Sequence, residues 1–234
     1  MRETRADFDE LKEFVRGYGI APSVTDDSFV DNLRIGHKRL FGFLTFVGEI
    51  ASTNCSTNKF SDDSMSYFAE CSSDVAQAVF CWIHGAYKPA YLSLRSSIET
   101  FIKAVVCTED PTVLTEKSMY ELFDIAKKSE SCSGQAVDHF TKIKEMYAQL
   151  CGIAHSATAA RFTQVCAFRM FPKFEETDAG TFISCFVSLV DRFIAVLLAG
   201  NRNLLPLMHF RNRQIVLETL PQQIKRSILG EEAP

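Results

Sequence analysis

Few side chains in this chain have types and spacings that could do chemistry. His155 lies in the stretch YAQLCGIAHSATAARF, four residues after Cys151 and eight after Tyr147. Imidazole titrates near neutrality, so His155 is the candidate general acid or base. If one helix runs through Gly152, Tyr147, Cys151 and His155 share a face. Gly152, Ala154, Ser156 and Ala157 would then let another chain or a ligand come close. Arg161, six residues on, could clamp an anion. A second polar line is Tyr91, Arg95 and Glu99, again spaced by four. It has two readings. One is an i,i+4 ion pair on a solvated face. The other is an inward cluster in which Arg95 binds a phosphate and Glu99 orients it. Ser93, Ser96, Ser97 and Thr100 favour the second, because a solvated face would carry more Lys and Glu. His155 also has a plainer reading, as a core histidine bonded to a carbonyl at a helix end.

Other chemistries leave no local signature. There is no phosphate-cradling glycine loop, no G-x-S-x-G, no H-E-x-x-H and no calcium loop. The eight cysteines lie at least ten residues apart, so no zinc-knuckle spacing exists, and neither a metal nor a cofactor is expected. Five of them fall in apolar helical patterns and read as small buried hydrophobes of a reduced, cytoplasmic protein. His84 ends a helix, where a cation is favoured, and reads as structural. His37 and His139 have no partner nameable from the sequence. Net charge is −4, which supplies no global basic field for nucleic acid. Yet the last 34 residues carry five Lys+Arg against three Asp+Glu, whereas residues 1–200 carry 20 against 26. Arg202, Arg211 and Arg213 in that segment, with Arg161, are candidate phosphate-backbone contacts; a solvated helix face is the alternative.

These residues need elements to hold them. The stretch from Asp74 to Cys107 reads as two helices joined at Gly85, with Pro89 opening the second. Val75, Val79 and Trp82 line one apolar face, and Leu94, Ile98, Phe101 and Val105 the other. The short turn predicts antiparallel packing. Around this hairpin the pattern predicts a helix over 4–18, closed by Gly19, and another from Asp26 or Asp27 to about Ile50. A Ser/Thr/Asn loop is expected over 51–62, with Asp62 or Asp63 starting the hairpin. Ser118 and Glu121 form a capping box for a helix of about ten residues. Further helices are expected from Gln135 and over 181–199, with a loop over 172–180 and an ambiguous segment over 163–171. Phe182 to Ala199 is the most apolar run, but Asp191 and Arg192 break it, which favours a core helix over a membrane span. MRETRADFDELKEF has no apolar signal core. No strand alternation is found. The expectation is a single all-α domain over 1–234, an up-and-down bundle of about eight to ten helices around a central antiparallel hairpin, with basic helices over 201–229.

The hairpin carries Gly85, Ala90, Leu94, Arg95 and Glu99, and about fifty residues later come Tyr147, Leu150 and His155. This pattern, over 63–160, resembles the HEPN superfamily of bacterial all-α proteins, many from abortive-infection and toxin–antitoxin systems. The resemblance implies a defence or stress-response protein acting on RNA, a homodimer or a subunit with a protein partner. In catalytic relatives, an arginine four to six residues before a histidine forms a metal-independent ribonuclease site. Here those positions hold Cys151, Leu150 and Gln149, so Arg95 or Arg161 would have to supply the arginine. The resemblance then makes His155 the acid/base, Arg95 the phosphate ligand, Glu99 its orienter and Tyr147 the group that positions the 2′-hydroxyl. The alternative is a non-catalytic interaction module or regulatory subunit, and a third reading is an enzyme acting on a small nucleotide.

Overall fold

A computed structural model describes residues 2–17, 26–57, 59–154, 174–201 and 203–229. Within them lie ten α-helices and no strand: α1 (Arg2–Gly17), α2 (Asp27–Thr57), α3 (Asp62–Ile83), α4 (Tyr87–Val106), α5 (Met119–Ala126), α6 (Val137–Ala154), α7 (Glu176–Gly200), α8 (Leu204–Leu207), α9 (Phe210–Thr219) and α10 (Gln222–Leu229). The all-α expectation is met. Gly19 and the ambiguous 163–171 segment lie outside the described residues.

The hairpin is α3 and α4, and its register is antiparallel. Ser64 Oγ donates to the Ala104 carbonyl and Cys71 Sγ to that of Ser97, so positions rise on one helix as they fall on the other, and Thr100 Oγ1 donates across to Asp74 Oδ2. Gly85 takes φ 67°, the left-handed conformation a chain reversal needs, and its N–H donates to the Trp82 carbonyl at 2.9 Å. α3 starts at Asp62, as expected, while two neighbouring boundaries differ. α3 is capped by Ser61, which accepts from the Ser64 N–H at 3.1 Å, while Asp62 and Asp63 fill the first turn. α4 begins at Tyr87, so Pro89 is its third residue, where a helical N–H is still unneeded. α2 does not stop near Ile50 but continues to Thr57. Thr57 Oγ1 donates back to the Thr53 carbonyl, and Asn54 exchanges two hydrogen bonds with the Phe60 backbone, tying the polar turn down.

Two other sequence signals resolve in detail. Asp26 caps α2, accepting from the Phe29 N–H at 2.9 Å. Ser118 accepts from the Glu121 N–H at 3.4 Å, but the Ser118 N–H is taken by Glu116, not Glu121, so the reciprocal half of the box is replaced.

α7 is the central rod and starts at Glu176, inside the expected loop. It packs on α2, α4, α6 and α10. Phe101 and Phe193 stack with centroids 4.0 Å apart, and Trp82 stacks on Phe29 at 5.2 Å. By length and composition α7 could cross a membrane, yet 67% of its most apolar window is buried inside the chain. α9 lies on α2 at Gly42, where a β-carbon would overlap the Thr219 side chain. Glu49, buried beside this contact, accepts from the His209 N–H at 2.7 Å and from Asn212, placing negative charge at the start of α9.

Candidate functional site

The α4 line splits into three fates. Tyr91 turns into the core, its ring edge-on to Phe182 at 5.1 Å, and burial pushes its hydroxyl pKa up. Arg95 crosses to α6. Its Nε donates to Cys151 Sγ at 3.2 Å and one terminal nitrogen donates to the Tyr147 hydroxyl at 2.5 Å. The guanidinium carbon also lies 4.8 Å from the Tyr147 ring centroid. Glu99 pairs one turn onward with Lys103 at 2.9 Å. The side chain expected to orient Arg95 is therefore engaged elsewhere, and α6 supplies the orienting groups.

The packing of α4 on α6 is what brings Arg95 and Tyr147 together across 52 residues of sequence. Phe123 of α5 closes the far side, edge-on to the Tyr147 ring at 5.5 Å. Burial and the neighbouring Cys151 push the Tyr147 hydroxyl up to about 12, against the pull of Arg95. Tyr147 is thus a neutral phenol at pH 7. It accepts from Arg95 and keeps its own proton to donate. Burial works against the charge on Arg95, but the contacts with Cys151 and Tyr147 outweigh it and raise its pKa. No carboxylate is among the hydrogen-bond partners of Arg95 in the described residues, and two of its five N–H groups are used. A half-buried cation held in place without a counter-charge can take an anion with little rearrangement.

His155 follows the last residue of α6, and it lies outside the described residues, as do Arg161 and Arg202. Arg211 is exposed on α9, and Arg213 of the same helix lies over the Phe210 ring at 6.0 Å. The main packing partner of α9 is α2, so these arginines belong to a different part of the molecule from the Arg95 seam.

Two of the other histidines, His37 and His139, acquire partners that no local spacing announces. His37, 4% exposed, pairs through Nε2 with Asp7 of α1. His84 Nδ1 bonds the Phe80 carbonyl at 2.8 Å, as expected of a helix-end residue. His139 has Ser227 Oγ 3.4 Å from Nε2, which superficially suggests a nucleophile and its base. Its Nδ1, however, accepts from Arg192 at 2.8 Å, so the proton sits on Nε2. A base toward a serine needs the opposite tautomer. Burial and Arg192 also hold the His139 pKa down, and Asp138 offsets this only in part. This group is a packing network around α7. Among the described residues no group of three His, Cys, Asp or Glu side chains is placed to hold a metal ion.

No protein-family model, no curated protein and no solved structure matches the chain.

Proposed function

We propose that the chain is a HEPN-like defence or stress-response protein that acts on RNA through the α4–α6 seam. The observation that supports this reading is the meeting of Arg95 and Tyr147, with the guanidinium oriented by neutral groups and unpaired with any carboxylate among the described residues. Arg95 holds a phosphodiester oxygen, and the neutral Tyr147 hydroxyl positions the ribose 2′-hydroxyl. In a ribonuclease built this way, His155 takes the 2′-hydroxyl proton as that oxygen attacks phosphorus. The 5′-oxygen leaves with a proton drawn from solvent water, giving a 2′,3′-cyclic phosphate, and Arg95 stabilises the charge gathering on the phosphoryl oxygens. No metal enters this scheme. It operates in the cytoplasm, as a homodimer or with a protein partner.

One observation favours a second reading, a non-catalytic helical interaction module. Glu99 is paired with Lys103, so the polar line is partly consumed in holding α4 itself. The test is incubation of purified protein with total RNA and tRNA in EDTA, beside Arg95→Ala and His155→Ala. Cleavage by the wild type that both substitutions abolish is the expected result. Intact RNA, with all three proteins folded by circular dichroism, assigns the seam to the interaction module.

A further inference from the structure

A second concentration of cations lies far from this seam in the chain's architecture. Between α1 and α2 is a cavity of about 780 Å³, lined by Arg5, Lys12, Arg34, His37 and Lys38, with Asp9 as the one carboxylate among the described residues of its wall. On a chain of net charge −4, four permanent cations around one cavity are out of proportion to the whole. α1 and α2 run antiparallel here: Asp7 meets His37, and Phe8 lies beneath Arg34. Arg5 and Lys38 therefore stand at one end and Lys12 and Arg34 at the other, about 10 Å apart along α1. Phe8 forms the floor, with Lys12 Nζ 5.5 Å and the Arg34 guanidinium carbon 5.6 Å from its ring centroid.

The compensation of these charges is weak. Lys12 pairs with Asp9 at 2.8 Å and Arg34 with Asp31, both within one turn of their own helix; the Arg34 pair is largely exposed to solvent and the Lys12 pair partly so. Lys38 makes no ion pair among the described residues; it is crowded by Arg39 and Lys225. Burial and those two neighbours hold its pKa below the ordinary lysine value, and Glu218 and Asp191 offset this only partly. His37 adds a buried imidazole whose Nδ1 lacks a hydrogen-bond partner among the described residues. An anion entering the cavity would relieve the crowding at Lys38 and exchange exposed pairs for charge-assisted bonds.

We infer that the α1–α2 cavity is a binding site for a small polyanion bearing several linked phosphoryl groups, with Arg5 and Lys38 gripping one end and Lys12 and Arg34 the other. The volume falls in the range of small-molecule pockets, which favours a compact ligand over a polymer. The spread of cations asks for charge along a line, which a polyphosphate chain carries and a lone phosphate does not. That chain can be inorganic or part of a nucleoside triphosphate, and the two are separable.

The experiment is calorimetric titration of the full chain with inorganic tripolyphosphate, and separately with ATP, in low-salt buffer containing EDTA. Saturable binding of tripolyphosphate is expected, weakened about tenfold or more in Arg5→Gln/Lys38→Gln and in Lys12→Gln/Arg34→Gln. Arg211→Gln/Arg213→Gln and Arg95→Ala should bind like the wild type, which keeps this result separate from the RNA reading. Tighter binding of ATP than of tripolyphosphate supports the site and adds a contact to the nucleoside. Absence of saturable binding overturns the inference. So do affinities unchanged in both cavity variants, an equal loss in the Arg211/Arg213 control, and binding of an RNA oligonucleotide without either small ligand. Circular dichroism of each variant checks that the helices persist.

Discussion

Two arginines, the half-buried Arg95 and the nearly buried Arg39, serve opposite ends. Arg39 on α2 lies with its Nε 2.8 Å from Asp191 Oδ1 of α7, and both side chains are nearly buried. The atoms are close but lack hydrogen-bond alignment, so this is charge against charge. Arg95 instead meets a phenol and a sulfur, with directional bonds and no counter-ion among the described residues. The first arrangement cancels its charge inside the scaffold and has nothing to offer a ligand. The second fixes a cation in space and leaves its charge uncancelled. The proposed difference between a binding site and a packing device is the charge of the partner.

The comparison can be broken most forcefully at Arg39. Arg39→Ala leaves Asp191 buried without its cation and should lower unfolding free energy by about 3–5 kcal/mol in urea at pH 7. A double variant, Arg39→Met with Asp191→Leu, should recover most of that loss, because it removes both desolvated charges together. A double variant as unstable as Arg39→Ala would show that the pair holds more than its own charges.

The next effect is in pH. Burial raises the Asp191 pKa from 3.8 to about 6, and Arg39 pulls against it without prevailing. Between about pH 4 and pH 6 the folded state therefore binds more protons than the unfolded one, and stability falls as pH rises. Asp191 should contribute a loss of roughly 3 kcal/mol across that window, taking about 1.4 kcal/mol per pKa unit. Asp191→Asn should erase that component, so the gap between the two proteins in urea midpoint widens in favour of the variant toward neutral pH. A gap that stays constant from pH 4 to pH 7 contradicts the assignment.

Arg95→Ala is expected to act the other way round. Its loss of two hydrogen bonds should cost only about 1–2 kcal/mol of stability while RNA cleavage or binding disappears. Smallest of all is Glu99→Gln, which breaks a partly exposed pair with Lys103 and should change stability by about 0.5 kcal/mol or less, with RNA activity retained. Loss of activity in Glu99→Gln at unchanged stability would restore Glu99 to a role beside Arg95.

How far the chain was legible follows the range of each interaction. Gly85, Asp26 and Ser118 act within a few residues of themselves, and spacing alone located them. The i,i+4 rule also anticipated an ion pair on α4, though it joins Glu99 to Lys103 and spares Arg95. The overrun of α2 to Thr57 was hidden because Ser, Thr and Asn favour loops unless something downstream holds them, and here Phe60 does. The partners of His37 and His139, and the Arg39–Asp191 pair, join residues 30 or more positions apart and depend wholly on which helices pack. Arg95 and Tyr147 were each visible as candidates; that Tyr147 and Cys151, not Glu99, orient the guanidinium could only come from the α4–α6 contact.

Trp82 is the chain's lone tryptophan. Its ring is sealed against Phe29 of α2, lies 6.5 Å from that of Phe182, and donates its indole N–H to the Ala179 carbonyl at 3.2 Å. The molecule thus carries its single tryptophan fluorophore at the junction of three helices. Emission should be blue-shifted in the native protein and move to the red as soon as α7 lifts from the hairpin. Ligands that bind at either cation site without disturbing that junction should leave the spectrum still.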